Sequence, residues 1–99
     1  VYTSGVIPVD PSTGAIPEGG VEVQANQAFK NLCNLVEASG SKVENIVKTT
    51  VFIKKMNDFG KINEIYKQYF KEPFPARSCV EVARLPKDVL LEVEAICFK

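Results

Sequence analysis

The spacing of apolar residues changes several times along the chain, and each change marks an element. Val21, Ala25, Ala28, Phe29, Leu32, Leu35 and Val36 recur at helical spacing, with Gly40 placed to cap the end. That pattern predicts an amphipathic helix of about five turns. In VKTTVFIKK, residues 47 to 55, the period drops to two: Val47, Thr49, Val51 and Ile53 share one face, and Lys48, Thr50, Phe52 and Lys54 the other. β-Branched residues in alternation predict a strand. Asn57 or Asp58 then stands where a second helix needs an N-cap, and Phe59, Ile62, Tyr66, Tyr69 and Phe70 form its apolar face until Glu72-Pro73-Phe74-Pro75 breaks it.

Two further strands are predicted at about 77 to 84 and 89 to 98, separated by LPKD. VYTSGVIPV at the start reads as a β-rich opening interrupted at Gly5, and DPSTG and PEGG are turn clusters. The predicted order is β-α-β-α-β-β, one α+β domain over residues 1–99 with a mixed sheet and two helices packed on one face. The opposite face carries Phe52, Ile96 and Phe98 among Lys54, Glu92 and Glu94. A sheet face this apolar is expected to be covered by other copies of the chain.

Composition narrows the chemistry. Twelve basic and twelve acidic residues cancel, so the positive field on which non-specific nucleic-acid binding depends is missing. Three cysteines stand far apart with no CxxC pair, and there is no histidine, which argues against a disulfide framework or a zinc site. GxGxxG after a strand, GxxxxGK(S/T) and HExxH are all missing, and no cofactor is expected. Within one chain the Ser-His and Cys-His nucleophile pairs are excluded, leaving Asp, Glu, Cys, Tyr, Lys or water for proton transfer. The apolar runs are too short for a membrane span.

Four features stand out. Arg77 lies where a proline-rigidified turn becomes a strand, and its guanidinium fork matches a carboxylate; the alternative is a salt bridge. Cys79 shares that strand face and is either a small buried hydrophobe or a thiol influenced by the cation. Glu92 and Glu94 occupy an otherwise apolar face, where a carboxylate must be paired or must act. Gly5 marks either a bulge or a close backbone approach.

Taken together, Ser4-Gly5-x-Ile7-Pro8, IVKTTVFIKKMNDF at 46 to 59, NEIYKQYF at 63 to 70 and PARSCVEVARLPKD followed by LEVEAI resemble the YjgF/YER057c/UK114 family. The family is also called RidA, for reactive intermediate deaminase A. The resemblance runs along essentially the whole chain, and its signature segment, 75 to 96, is ungapped. It implies a fold like Bacillus chorismate mutase, assembled as a homotrimer with pockets between subunits. It further implies hydrolysis of enamine and imine intermediates such as 2-aminoacrylate and 2-aminocrotonate to 2-oxo acids and ammonia.

By position, Arg77 matches the arginine that grips the substrate carboxylate and Glu92 the glutamate that positions water. Gly5 and Cys79 match pocket-lining positions, and Phe59 and Asn63 positions near the neighbouring subunit's contribution. The implied partners are imino and 2-oxo acids and two further copies of the chain, with no nucleic acid and no membrane. A family strand bearing a tyrosine precedes the point where this sequence opens, so a leading segment is expected to be missing. A cytoplasmic location is expected, or a mitochondrial one if a targeting peptide was removed. The alternatives are a non-catalytic trimer that binds small carboxylates in a regulatory or chaperone-like role and, less supported without histidine or net positive charge, a ribonuclease or translation inhibitor.

Overall fold

Glycine and proline set the ends of the elements, and apolar periodicity sets which way each element faces. In the computed structural model, which describes residues 1–99, the first helix, α1, spans Val21–Ala38. It begins after Gly19 and Gly20, both at positive φ, and Gly20 offers no side-chain cap. Its end is a Schellman turn: Ser41 N–H donates to Val36 O and Gly40 N–H to Glu37 O, with Gly40 at φ 91° where a side chain would be strained. Val21, Ala25, Ala28, Phe29, Leu32 and Val36 are buried as their spacing predicts, whereas Leu35 is exposed.

Strand β1 covers Ile46–Ile53, and helix α2 covers Phe59–Tyr69. Strands β2, Ala76–Glu81, and β3, Leu91–Cys97, complete a sheet of order β2-β1-β3. β1 pairs parallel with β2 and antiparallel with β3, so the sheet is mixed. α1 packs on α2 and on β3, and one core joins Phe29, Leu32, Ile62, Tyr66 and Phe70 from the helical layer to Val51, Ile53, Leu91, Val93 and Ala95 from the sheet. Burying an aromatic or aliphatic side chain of this kind contributes about 1.5–3 kcal/mol each. The predicted α+β architecture is therefore present.

Local departures have physical causes. A register shift between Ile46 and Lys48 turns Ile46 into the core and leaves Val47 48% exposed, so Val47 does not share the face of Thr49, Val51 and Ile53. Neither Asn57 nor Asp58 caps α2 with its side chain: a 3₁₀ turn over Met56–Asp58 leads the backbone into the helix instead. β3 starts two residues later than its alternation suggests, because Lys87 and Asp88 adopt left-handed φ of 56° and 54°. Arg84 holds that turn with a forked contact to Asp88, Nε to Oδ1 at 2.7 Å and Nη2 to Oδ2 at 3.2 Å.

The opening segment does not form a full strand. It lies along the free edge of β3 through isolated antiparallel bridges, Tyr2 to Ile96 and Val6 to Val93. Thr3 N–H donates to Ala95 O at 2.9 Å, and Val6 N–H to Val93 O at 2.7 Å. Ser4 and Gly5 thus span a stretch where β3 has only Glu94, which is a bulge.

Candidate functional site

Arg77 is placed by two constraints, the Phe74-Pro75 turn before it and its register opposite Thr49 on β1. Neighbours in register point to the same side of a sheet, so Arg77 shares the helix-covered face with Thr49. Thr49 is wholly buried, and its hydroxyl meets the Tyr66 hydroxyl at 2.8 Å. Tyr66 then presents its ring to Arg77, whose guanidinium carbon lies 4.7 Å from the Tyr66 centroid and 5.2 Å from that of Phe59. Arg77 Nη1 donates to Asn63 Oδ1 at 2.7 Å. The cation is therefore held over an aromatic shelf, with one neutral hydrogen bond. The ion pairs of the chain are Lys67–Glu64 and Arg84–Asp88, so no carboxylate neutralises Arg77 from within the chain.

In front of this guanidinium is an open groove of about 320 Å³ lined by Asn63, Tyr66, Lys67, Phe74, Pro75 and Arg77. Phe59 and Asn63, expected near a neighbouring subunit's contribution, touch Arg77 of their own chain. Cys79 follows on the same face, half-buried. Burial pushes its thiol above the usual range, outweighing the downward pull of Arg77, so it is not a ready thiolate. Burial likewise raises the Tyr66 hydroxyl, against the opposing effects of the Thr49 hydrogen bond and Arg77. No three His, Cys, Asp or Glu residues cluster closely enough to hold a metal ion.

Glu92 belongs to a different surface. It pairs with Phe52 of β1, whose side chain points away from the helices, and it is half-buried there beside the opening segment. A Cβ added to Gly5 would overlap Glu92 Oε2 and come within 2.8 Å of its Cδ. Gly5 therefore serves close approach, allowing the carboxylate to lie against its backbone. Glu94, in register with Thr50, is half-buried on the same back face.

The candidate residues thus form two half-sites. Arg77, Asn63, Phe59 and Cys79 are on the helix-covered side, while Glu92 and Gly5 are on the back. Tyr66, whose spacing assigns it to the apolar face of α2, and Lys67 beside it both line the groove. The missed signal was that residues 59, 63 and 66 share one helical face, which also receives Arg77.

Comparison with known proteins agrees with this architecture. A family profile described as Endoribonuclease L-PSP matches residues 1–99. A Salmonella typhimurium protein named 2-iminobutanoate/2-iminopropanoate deaminase is 58% identical over 102 residues, covering 100% of this chain and 79% of the relative. The crystal structure of Escherichia coli TdcF with bound serine superposes with a TM-score of 0.92 at 53% identity, covering 99% of this chain and 79% of that one. The Escherichia coli YjgF gene product superposes with a TM-score of 0.92 at 54% identity, with the same two coverages of 99% and 79%. The chain belongs to the Endoribonuclease L-PSP family, the YjgF/RidA family of its relatives.

Proposed function

We propose that this protein is an imine deaminase that hydrolyses 2-aminoacrylate- and 2-aminocrotonate-type intermediates, as their imine tautomers, to 2-oxo acids and ammonia. The observation that carries the reading is the un-neutralised Arg77 guanidinium, held on Phe59 and Tyr66 at the mouth of a groove. Relatives named 2-iminobutanoate/2-iminopropanoate deaminase at 55–58% identity over the whole chain support it.

The substrate carboxylate accepts two parallel hydrogen bonds from Arg77. Asn63 and the aromatic shelf fix the fork in advance, so little side-chain entropy is lost on binding. The imine is already protonated on nitrogen, and water adds to its carbon. Glu92 holds that water and takes its proton. Glu92 then returns that proton to the carbinolamine nitrogen. The C–N bond breaks as C=O re-forms, and the hydroxyl proton passes through Glu92 to the departing ammonia, which leaves as ammonium. Carbon, nitrogen and charge balance without oxidation or reduction. Because Arg77 and Glu92 face opposite sides of their own sheet, the complete site joins Arg77 of one copy to Glu92 of another, in the cleft of a homotrimer.

The test uses 2-aminoacrylate generated in situ by a dehydratase. Arg77→Ala should return ammonia release to the spontaneous rate, and Arg77→Lys, which keeps the charge but loses the fork, should raise KM by roughly tenfold or more. Undiminished release by Arg77→Ala rules the assignment out. A second reading, a non-catalytic binder of small carboxylates, draws on the relative solved with bound serine. Tight binding of 2-oxobutanoate with no acceleration of imine hydrolysis by the native chain would select it.

A further inference from the structure

The segment that lays Gly5 against Glu92 is not held by the sheet alone. Beyond the bridge at Val6 it leaves β3, and its next backbone carbonyls, Ile7 and Val9, flank the buried Pro8. Both carbonyls accept from one side chain of α1, and Ile7 O also accepts from Val9 N–H at 2.8 Å. Asn31 Nδ2 donates to Val9 O at 2.7 Å and to Ile7 O at 3.3 Å. The orientation of that amide follows from its partners, because two carbonyls can only accept and must face the NH₂ group. Asn31 Oδ1 is then left to accept, and Gln27, one turn earlier on α1, donates to it from Nε2 at 2.8 Å. The two amides therefore form a directed chain, Gln27 to Asn31 to the Ile7–Val9 backbone, with every hydrogen-bonding role determined.

We infer that Asn31, oriented by Gln27, is a positioning residue that fixes the Gly5–Val9 segment and thereby holds the Glu92 carboxylate in its working place. This rests on the proposed role of Glu92. The segment has few other anchors between the Val6 bridge and the Asp10 turn, where Asp10 N–H donates to Ala15 O. Without the Asn31 clamp it would move on the hinge of the Ser4–Gly5 bulge, and the surface against which Glu92 rests would move with it. Arg77 of the same chain lies on the opposite side of the sheet. The Arg77 that meets this Glu92 belongs to another copy, where Asn63, Phe59 and Tyr66 of that copy hold it independently of the clamp. A loss of the clamp should therefore slow the chemical step and leave carboxylate binding intact.

The decisive variant is Asn31→Asp, which preserves size but removes both donors and sets a carboxylate against two carbonyls. Imine hydrolysis should show kcat lowered about tenfold with KM within about twofold, the range expected when a part-buried donor pair is lost. Amide hydrogen exchange at Val6 and Val93, which bond each other across the bridge, should accelerate about tenfold, while Phe29 and Leu32 within α1 keep their protection. A folded variant with kcat within twofold of the native chain, or with unchanged exchange at Val6 and Val93, overturns the inference. If Asn31→Asp does not fold, Gln27→Ala, which removes only the orienting donor, should move kcat and exchange in the same directions by about threefold, and no movement in either overturns it. Should the native chain itself fail to hydrolyse the imine, the deaminase reading is at fault, and exchange at Val6 and Val93 alone decides the clamp.

Discussion

Arg77 and Glu92 project from opposite faces of one three-stranded sheet, Arg77 in register with Thr49 and Glu92 with Phe52, three positions along the same central strand. Since side chains alternate along a strand, an odd separation on β1 puts the two partners on different sides. They cannot meet around one substrate within a chain. The proposed site therefore makes assembly a condition of activity rather than an accompaniment to it.

Subunit mixing tests this directly. Arg77→Ala and Glu92→Gln should each be inactive alone. Unfolded together in equal amounts and refolded, they should regain about a quarter of native activity, because random assembly pairs an intact Arg77 with an intact Glu92 at one junction in four. Absence of recovery, with mixed oligomers shown by mass spectrometry, would put both residues in one chain's site or remove one of them from it.

Beneath Arg77, the Thr49–Tyr66 hydroxyl pair is expected to couple stability to the aromatic shelf. Thr49→Val leaves the Tyr66 hydroxyl without its 2.8 Å partner and should cost about 1–3 kcal/mol. Tyr66→Phe should cost a similar amount, because the Thr49 hydroxyl is wholly buried. The double variant should lose clearly less than the sum, since neither polar atom is then left unsatisfied. Additive losses in urea denaturation would show that the two hydroxyls do not act as a pair.

Where the chain could be read in advance, period and punctuation carried the reading. α1 spans its predicted helical repeat, and Gly40 ends it by the expected turn, because both depend on residues close in sequence. Val47 was misplaced because a register shift depends on the partner strand, which local alternation does not contain. The same limit applies to the site. Arg77 and Glu92 stood out by type, as a fork at a turn and a carboxylate on an apolar face. That they face opposite sides follows only once both are set in register against β1. Tyr66 was hidden for another reason: an aromatic at core spacing looks the same whether or not its exposed edge also supports a cation.

Cys33 on α1 should weaken the fold in alkali. Burial first, and the nearby Glu37 carboxylate second, push its thiol from 9.0 up to about 11. The folded state therefore holds a proton that the unfolded chain gives up earlier. The stabilisation is complete below about pH 9 and is lost as pH rises through about 11. Between about pH 8 and pH 11, Cys33→Ala should lose less of its urea midpoint than the native chain does. Equal losses would show that the thiol does not contribute to the alkaline decline.

Gly5→Ala separates folding from chemistry at the second half-site. Gly5 does not adopt a positive φ, so alanine introduces no backbone strain, and its methyl group would overlap only the end of the Glu92 side chain. A flexible carboxylate can swing aside at small cost, so the thermal midpoint should shift by no more than a few degrees. The displaced carboxylate could no longer lie against the segment backbone. On the proposed mechanism kcat should fall by roughly tenfold to a hundredfold, the range usual for a misplaced general base, with KM nearly unchanged because Arg77 is untouched. Glu92→Asp in the Gly5→Ala background should recover part of the loss, since a carboxylate one methylene shorter clears the new methyl group. A Gly5→Ala variant with native kcat would mean that the Glu92 position against Gly5 has no part in the chemistry, and the water-holding role would have to be assigned elsewhere.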